Sequence, residues 1–144
     1  MTIAPGERLV IDASIAVKWV VTEVDSDKAE LLLGRSLIAP DLMFAECANV
    51  LWKKVRRGEM TDGEAAIAAQ TLEEADLTVI STRPYLARIV AIAAELDHPA
   101  YDASYLAVAE ALGLRFVTAD ERLIRVLQAG SRFRQFVVSI ADVR

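Results

Sequence analysis

The regular alternation of short apolar runs with segments of helical periodicity most constrains what this chain can fold into. The runs are built mainly of aliphatic and aromatic residues and lie at 8–11, 37–39, 77–80, 116–118 and 136–138. Strands that are apolar on both faces, with helices between them, are typical of a parallel sheet covered on both sides. The sequence therefore predicts a three-layer α/β/α domain around about five short parallel strands.

Helix start and stop signals separate these runs. Ser14 is predicted to cap a first helix, and Thr61 with Glu64 has the spacing of a capping box. Pro99 suits the start of a late helix and Gly113 its end. The predicted helices cover 14–21, 26–33, 41–57, 61–75, 84–96, 100–112 and 121–128.

Length and composition exclude several other classes of protein. The chain has 144 residues, of which 54% are hydrophobic, so we expect one domain over 1–144. The single cysteine, Cys47, excludes an internal disulfide and a cysteine-based zinc cluster. The start of the chain lacks the pattern of a secretory signal, and no apolar run reaches the ~20 residues that a membrane span needs. We expect a cytoplasmic protein with no membrane segment.

Four acidic residues lie either at the end of a predicted strand or on the apolar face of a predicted helix. Asp12 closes the first predicted strand and Asp120 follows the fourth, at the sheet edge where open parallel sheets bind ligands. Each is also a candidate helix N-cap. Glu46 and Asp102 instead share helix faces with apolar residues, where a carboxylate is costly unless it is paired or bound to a cation. We therefore expect these four side chains to meet in one site.

The electrostatics of such a site predict its chemistry. Carboxylates ~6 Å apart repel by roughly 3 kcal/mol per pair at an effective dielectric constant near 20, or roughly 17 kcal/mol for six pairs. This exceeds the ~5–15 kcal/mol stability of a domain, so the site must bind a cation or take up protons. Oxygen ligands favour Mg²⁺ or Mn²⁺ over zinc. A phosphodiester hydrolase is the activity that this ion chemistry favours.

Three segments carry a resemblance to a known family. They are VIDASIAVKW at 10–19, APDLMFAECANVLWKKVRRGEM at 39–60 and HPAYDASYLAVAEALGLRFVTADERL at 98–123. In order and spacing they resemble the motifs of PIN-domain ribonucleases, in particular the VapC toxins of bacterial type II toxin–antitoxin pairs. The resemblance implies a PIN fold and Mg²⁺- or Mn²⁺-dependent endonucleolytic cleavage of RNA that leaves a 3′-hydroxyl and a 5′-phosphate. It also implies a homodimer and a cognate VapB-type antitoxin that blocks the site.

The resemblance also implies roles for individual residues. Matched position by position, the catalytic acids are Asp12, Glu46, Asp102 and Asp120. The implied metal ligands are Asp12, Asp102 and Asp120, and Glu46 is expected to orient water or a second ion. The implied auxiliary hydroxyls are those of Ser14 and Thr118.

A basic cluster ends the helix that carries Glu46, and it allows two interpretations. Its members are Lys53, Lys54, Arg56 and Arg57. They either bind RNA phosphates or only stabilise the C-terminus of the helix. The net charge of −5 does not decide between these two interpretations. Without the four predicted site acids, the chain has 17 acidic and 16 basic residues, so the rest of the chain is nearly neutral.

Four further side chains each allow two interpretations. His98, the only histidine, is expected to be structural or to face solvent. Trp19, Val20 and Trp52 either line a groove for the antitoxin or pack in the core.

Two alternative functions remain open at this stage. One is a catalytically silent PIN-like binding module. The other is a phosphoacceptor receiver domain, which also has an aspartate after its first strand. A receiver needs a lysine near its last strand, and no lysine follows Lys54.

Overall fold

The computed structural model describes residues 2–144, in which five strands form one sheet with every neighbouring pair parallel. The strands are β1 (Leu9–Ile11), β2 (Leu37–Pro40), β3 (Thr78–Ile80), β4 (Arg115–Thr118) and β5 (Val137–Ser139). The strand order is β3-β2-β1-β4-β5. Helices flank the sheet, so the predicted α/β/α fold class is confirmed. The receiver hypothesis is wrong, because receiver domains order their strands 2-1-3-4-5.

Seven α-helices connect the strands within residues 2–144. They are α1 (Ala13–Ala16), α2 (Ser26–Glu30), α3 (Leu42–Arg56), α4 (Asp62–Glu73), α5 (Leu86–Leu96), α6 (Ala100–Leu112) and α7 (Glu121–Gln128). The first predicted helix is shorter than expected, because α1 gives way to a 3₁₀ turn at Val17–Trp19. The predicted helix at 84–96 likewise begins as a 3₁₀ turn at Arg83–Tyr85. Among residues 2–144, no helix has the length and apolar character that crossing a bilayer requires.

The core is centred on β1 and the helix α6 that packs across it. All three residues of β1 are buried, as is every residue of α6 from Ala103 to Ala109. The ring of Tyr105 in α6 stacks on the ring of Phe116 in β4, with centroids 5.4 Å apart and planes inclined by 7°. This packing fixes the start of α6, and therefore Asp102, against the middle of the sheet.

Strand β3 departs from the buried pattern that the sequence suggested. Thr78 and Val79 are exposed, and Ile80 is only half-buried. The reason is its place in the sheet, since β3 is an edge strand that pairs only with β2. Burial on both faces therefore describes the central strands better than the edge.

The order of the strands creates a crevice between β1 and β4. From β1 the chain moves outward through β2 to β3, then returns to form β4 on the other side of β1. Connections leave β1 and β4 in opposite directions, and ligands of open parallel sheets bind at such a switch point, beyond the carboxyl ends of the strands. Asp12 follows β1 here, and Asp120 lies just beyond β4.

The capping box of α4 is confirmed and supplies a test of the fold. Thr61 Oγ1 accepts from the Glu64 N–H, while Glu64 Oε1 accepts from the Thr61 N–H. Thr61→Ala should lower the free energy of unfolding by ~1 kcal/mol, measured by urea denaturation. Thr71→Ala in the same helix is the control, because the Thr71 hydroxyl donates only to the carbonyl of Ile67 four residues earlier. Equal losses in the two variants would contradict the assigned helix start.

Candidate active site

One cavity of about 240 Å³ collects all four acids that the sequence singled out. Its lining residues are Asp12, Ala13, Ser14, Glu46, Asn49, Val50, Asp102, Tyr105 and Asp120. A larger hollow of about 380 Å³ lies beside α7 and β5, but none of the predicted site residues lines it. The four carboxylates are thus brought to the crevice between β1 and β4 by the ends of these two strands and by α3 and α6.

Asp12 is the most deeply placed of these acids, with only 5% of its surface exposed. It is the N-cap of α1, since its Oδ1 accepts from the Ile15 N–H at 3.3 Å. The prediction that Ser14 caps this helix was wrong. The Ser14 hydroxyl instead donates to Asp12 Oδ1 at 2.5 Å, and the Thr118 hydroxyl donates to Asp12 Oδ2 at 2.6 Å.

Two hydrogen-bond relays fix the direction of these hydroxyl groups. Ser14 Oγ accepts from the Ala119 N–H at 2.9 Å, and Thr118 Oγ1 accepts from the Asp120 N–H at 3.0 Å. Because each hydroxyl accepts from a backbone N–H, its own proton is directed at Asp12. The relays join the loop after β4 to the end of β1, and they account for hydroxyl residues at positions 14 and 118.

Burial and neighbouring charge act together on the acids of the cavity. Burial raises the pKa of Asp12 to about 7, and the charge of Asp102 adds to the increase, against the hydrogen bonds from Ser14 and Thr118. Burial also raises the pKa of Glu46, with contributions from Asp102 and Asp120. These carboxylates therefore sense one another, and a cation bound among them would stabilise their charged forms.

Glu46 is held by the phenol of Tyr105. The Tyr105 hydroxyl donates to Glu46 Oε1 at 2.5 Å. Burial and the charge of Glu46 both raise the pKa of Tyr105, so the phenol remains a donor at neutral pH. One oxygen of Glu46 is therefore oriented by the core of the protein, and Oε2 remains available to the cavity.

Asp102 has a side-chain partner in His98, the only histidine of the chain. His98 Nε2 lies 2.5 Å from Asp102 Oδ2, and only 8% of the His98 side chain is exposed. A solvent-facing His98 is therefore excluded, because its ring is covered and contacts one oxygen of Asp102. The spacing of four residues across the start of α6 was the available signal, because it places two side chains side by side on a helix.

Asp120 combines a structural position with a place in the cavity. Its Oδ1 accepts from the backbone N–H groups of Arg122 and Leu123, at 3.0 and 3.1 Å, and so caps α7. The same residue lines the cavity. The N-cap interpretation and the site interpretation are therefore compatible for Asp120, as they are for Asp12.

The donor set has the chemistry of a site for Mg²⁺ or Mn²⁺. The carboxylate and hydroxyl groups that line the cavity are all potential oxygen ligands, which hard divalent cations prefer. The four carboxylates lie less close together than we expected from the sequence. Within residues 2–144, no three His, Cys, Asp or Glu side chains stand in a ready coordination arrangement. Hydrogen bonds hold Asp102 and Glu46 at one carboxylate oxygen each.

Two further lining residues were not predicted as part of the site. Asn49 and Val50 follow Glu46 by three and four residues on α3 and border the same cavity. Helical spacing places them on the flank that carries Glu46, and that spacing was the signal available. Asn49 adds an amide to the carboxylates and hydroxyls of the site.

The raised pKa of Asp12 predicts how the stability of the metal-free protein depends on pH. Asp12 titrates near its ordinary value of 3.8 when unfolded and at about 7 when folded, so between these values the folded state binds the extra proton. Stability should therefore fall as pH rises through this range, by on the order of 4 kcal/mol from this group. Asp12→Asn should remove that part of the slope in urea denaturation with a chelator present. Parallel curves for the two proteins would contradict the assignment.

Comparison with known proteins identifies the family. A model of the PIN domain matches residues 9–127. Ribonuclease VapC3 of Pyrobaculum aerophilum is 36% identical over 120 residues, 81% of this chain and 92% of that protein. Ribonuclease VapC9 of Mycobacterium tuberculosis is 35% identical over 121 residues, 84% and 92% of the two chains. A crystal structure of a Pyrobaculum aerophilum protein aligns at a TM-score of 0.71 and 26% identity, covering 96% of this chain and 93% of the other. The chain belongs to the PIN-domain family and, within it, to the VapC ribonucleases.

Proposed function

We propose that residues 1–144 are a single PIN domain that cleaves RNA internally with Mg²⁺ or Mn²⁺, as the toxin of a type II toxin–antitoxin pair. The observation that carries this proposal is the single cavity at the switch point of the sheet, which four acids line. The raised pKa values of Asp12 and Glu46 support it, because burial, with a smaller contribution from neighbouring acids, disfavours charged forms that a divalent cation would stabilise.

Three aspartates are proposed to hold the ion, namely Asp12, Asp102 and Asp120. A divalent cation supplies Lewis-acid chemistry at such a site: it polarises the phosphodiester and lowers the pKa of a bound water. Ser14 and Thr118 donate to Asp12 and keep its carboxylate oriented between β1 and β4. His98 does the same for Asp102, since its ring contacts one carboxylate oxygen and leaves the other free.

Glu46 is proposed to accept the proton of the attacking water. Tyr105 fixes its Oε1, so Oε2 is the oxygen that can receive a proton. The raised pKa makes Glu46 a stronger proton acceptor than an ordinary glutamate. The water oxygen attacks phosphorus and gives its proton to Glu46, while the bond from phosphorus to the 3′ oxygen breaks. The leaving 3′ oxygen takes a proton from solvent, so the products are a 3′-hydroxyl and a 5′-phosphate.

The proposed partners are RNA, a VapB-type antitoxin and a second copy of this chain, and an RNA substrate implies a cytoplasmic location. Of the three apolar residues considered for an antitoxin groove, only Trp52 is well exposed, at 53%. Trp19 and Val20 pack against the core, and the Trp19 indole N–H donates to the carbonyl of Ala29. Leu31 and Leu33, which follow α2, are also exposed.

Cleavage of RNA by the purified chain tests this function directly. Linear and circular single-stranded RNA should both be cut with Mn²⁺ or Mg²⁺, and a chelator should stop the reaction. Asp12→Asn should lower the rate at least ~100-fold, because loss of the ion removes several kcal/mol of transition-state stabilisation. Circular RNA distinguishes internal cleavage from removal of terminal nucleotides.

Methylation of the RNA 2′-hydroxyls provides a second arm of the same experiment. Water is the proposed nucleophile, so 2′-O-methylated RNA should still be cut. A wild-type protein that cuts no RNA, or one that cuts equally well with chelator, would overturn the proposal. The silent binding module would then be the better account.

A further inference from the structure

The basic cluster at the end of α3 divides into two pairs according to the contacts of its side chains. The Lys54 ammonium lies 3.6 Å from a Glu23 carboxylate oxygen and 3.7 Å from a Glu59 carboxylate oxygen. The Arg56 guanidinium lies over the ring of Trp52, 5.4 Å from its centroid. These two cations already have partners within the protein.

Lys53 and Arg57 form the other pair. Both are exposed, and neither forms a salt bridge with any residue in the described range 2–144. A cation can stabilise the C-terminus of a helix from any side of that helix. This role therefore does not explain why the two unpaired cations lie on the same side of α3. Their charge is available to a partner outside the chain.

Helix geometry places these two cations in line with the acids. At about 100° per residue, Lys53 and Arg57 lie within about 20° of Glu46 around the axis of α3, seven and eleven residues further on. Lys54 and Arg56 lie about 80° away, one on each side. Asn49 and Val50, between Glu46 and Lys53, line the cavity. One flank of α3 therefore runs continuously from the acidic site to two unpaired cations.

We propose that Lys53 and Arg57 bind backbone phosphates of single-stranded RNA that neighbour the phosphate being cut, so that the substrate lies along the flank of α3. This inference rests on the proposed ribonuclease function. A rise of 1.5 Å per residue puts the two cations ~10 and ~16 Å beyond Glu46 along the helix. They are therefore too far along to act on the cut phosphate and are positioned for its neighbours.

Charge and shape both favour this occupant. The cavity acids and the net charge of −5 repel a polyanion, so binding needs cations outside the cavity to offset that repulsion. The cut phosphate must also approach Asp12, which is buried, and a flexible single strand enters a cavity more readily than a rigid duplex.

A pair of matched double variants tests the proposal. Lys53→Gln with Arg57→Gln removes one lysine and one arginine, and Lys54→Gln with Arg56→Gln removes the same charges from the same turns. Binding is measured by fluorescence anisotropy with a short fluorescein-labelled oligouridylate and a chelator to prevent cleavage. Thermal melting followed by circular dichroism checks that each variant is folded.

The first variant should bind RNA about tenfold more weakly, and the control should stay within about twofold of wild type. The salt dependence gives a second readout. The slope of log affinity against log salt should fall in magnitude by about 1.4 for two lost contacts with a single strand. In the cleavage assay the loss should appear in KM. The charge-conserving variant Lys53→Arg with Arg57→Lys should keep wild-type binding within about threefold.

Several outcomes would overturn the inference. Equal losses in the two glutamine variants would mean that general charge, and not this flank, attracts RNA. No loss at Lys53 and Arg57, or no binding by wild type, would also contradict it. Binding that depends on these two residues in a protein that cuts no RNA would support the assignment of Lys53 and Arg57 to RNA phosphates and contradict the proposed cleavage.

Discussion

The buried carboxylate of Asp12, with the two hydroxyl groups that donate to it, is the interaction on which the rest of the site depends. It joins the end of β1 to the start of α1 and, through Ser14 and Thr118, to the backbone after β4. These bonds do not fully offset the burial of its charge, since the pKa of Asp12 remains raised to about 7. The fold thus holds an acid whose charged form would gain from a cation.

Much of the fold and the set of candidate acids could be predicted from the sequence, because both leave local patterns. Apolar runs predicted the parallel strands, and Glu46 and Asp102 were conspicuous as acids on apolar helix faces. The remainder depends on contacts that no local pattern encodes. Tyr105 forms a hydrogen bond with Glu46, which lies 59 residues earlier in the sequence. The exposure of β3 follows from its place at the edge of the sheet. The relay through Ser14 likewise needed the three-dimensional arrangement of β1 and β4.

Several acids of the cavity have a structural role as well as a proposed chemical one. Asp12 and Asp120 each cap the helix that follows them, so the helix starts place these carboxylates at the crevice. His98 and Tyr105 hold the other two acids by one oxygen each. Substitution of any of these acids therefore affects folding as well as chemistry, and loss of activity alone does not distinguish the two effects.

Direct calorimetric titration of the purified protein with Mn²⁺ separates effects on folding from effects on chemistry, because it measures binding of the ion in the cavity without RNA. Near pH 6, Mn²⁺ should bind the wild type and release a proton, since Asp12, with a pKa of about 7, is largely protonated there. Proton release is detected by repeating the titration in buffers of different ionisation enthalpy. A folded Asp12→Asn variant should bind at least ~10-fold more weakly and release fewer protons. Equal Mn²⁺ binding by the two proteins, or no binding by either, would contradict a divalent-cation site built around Asp12.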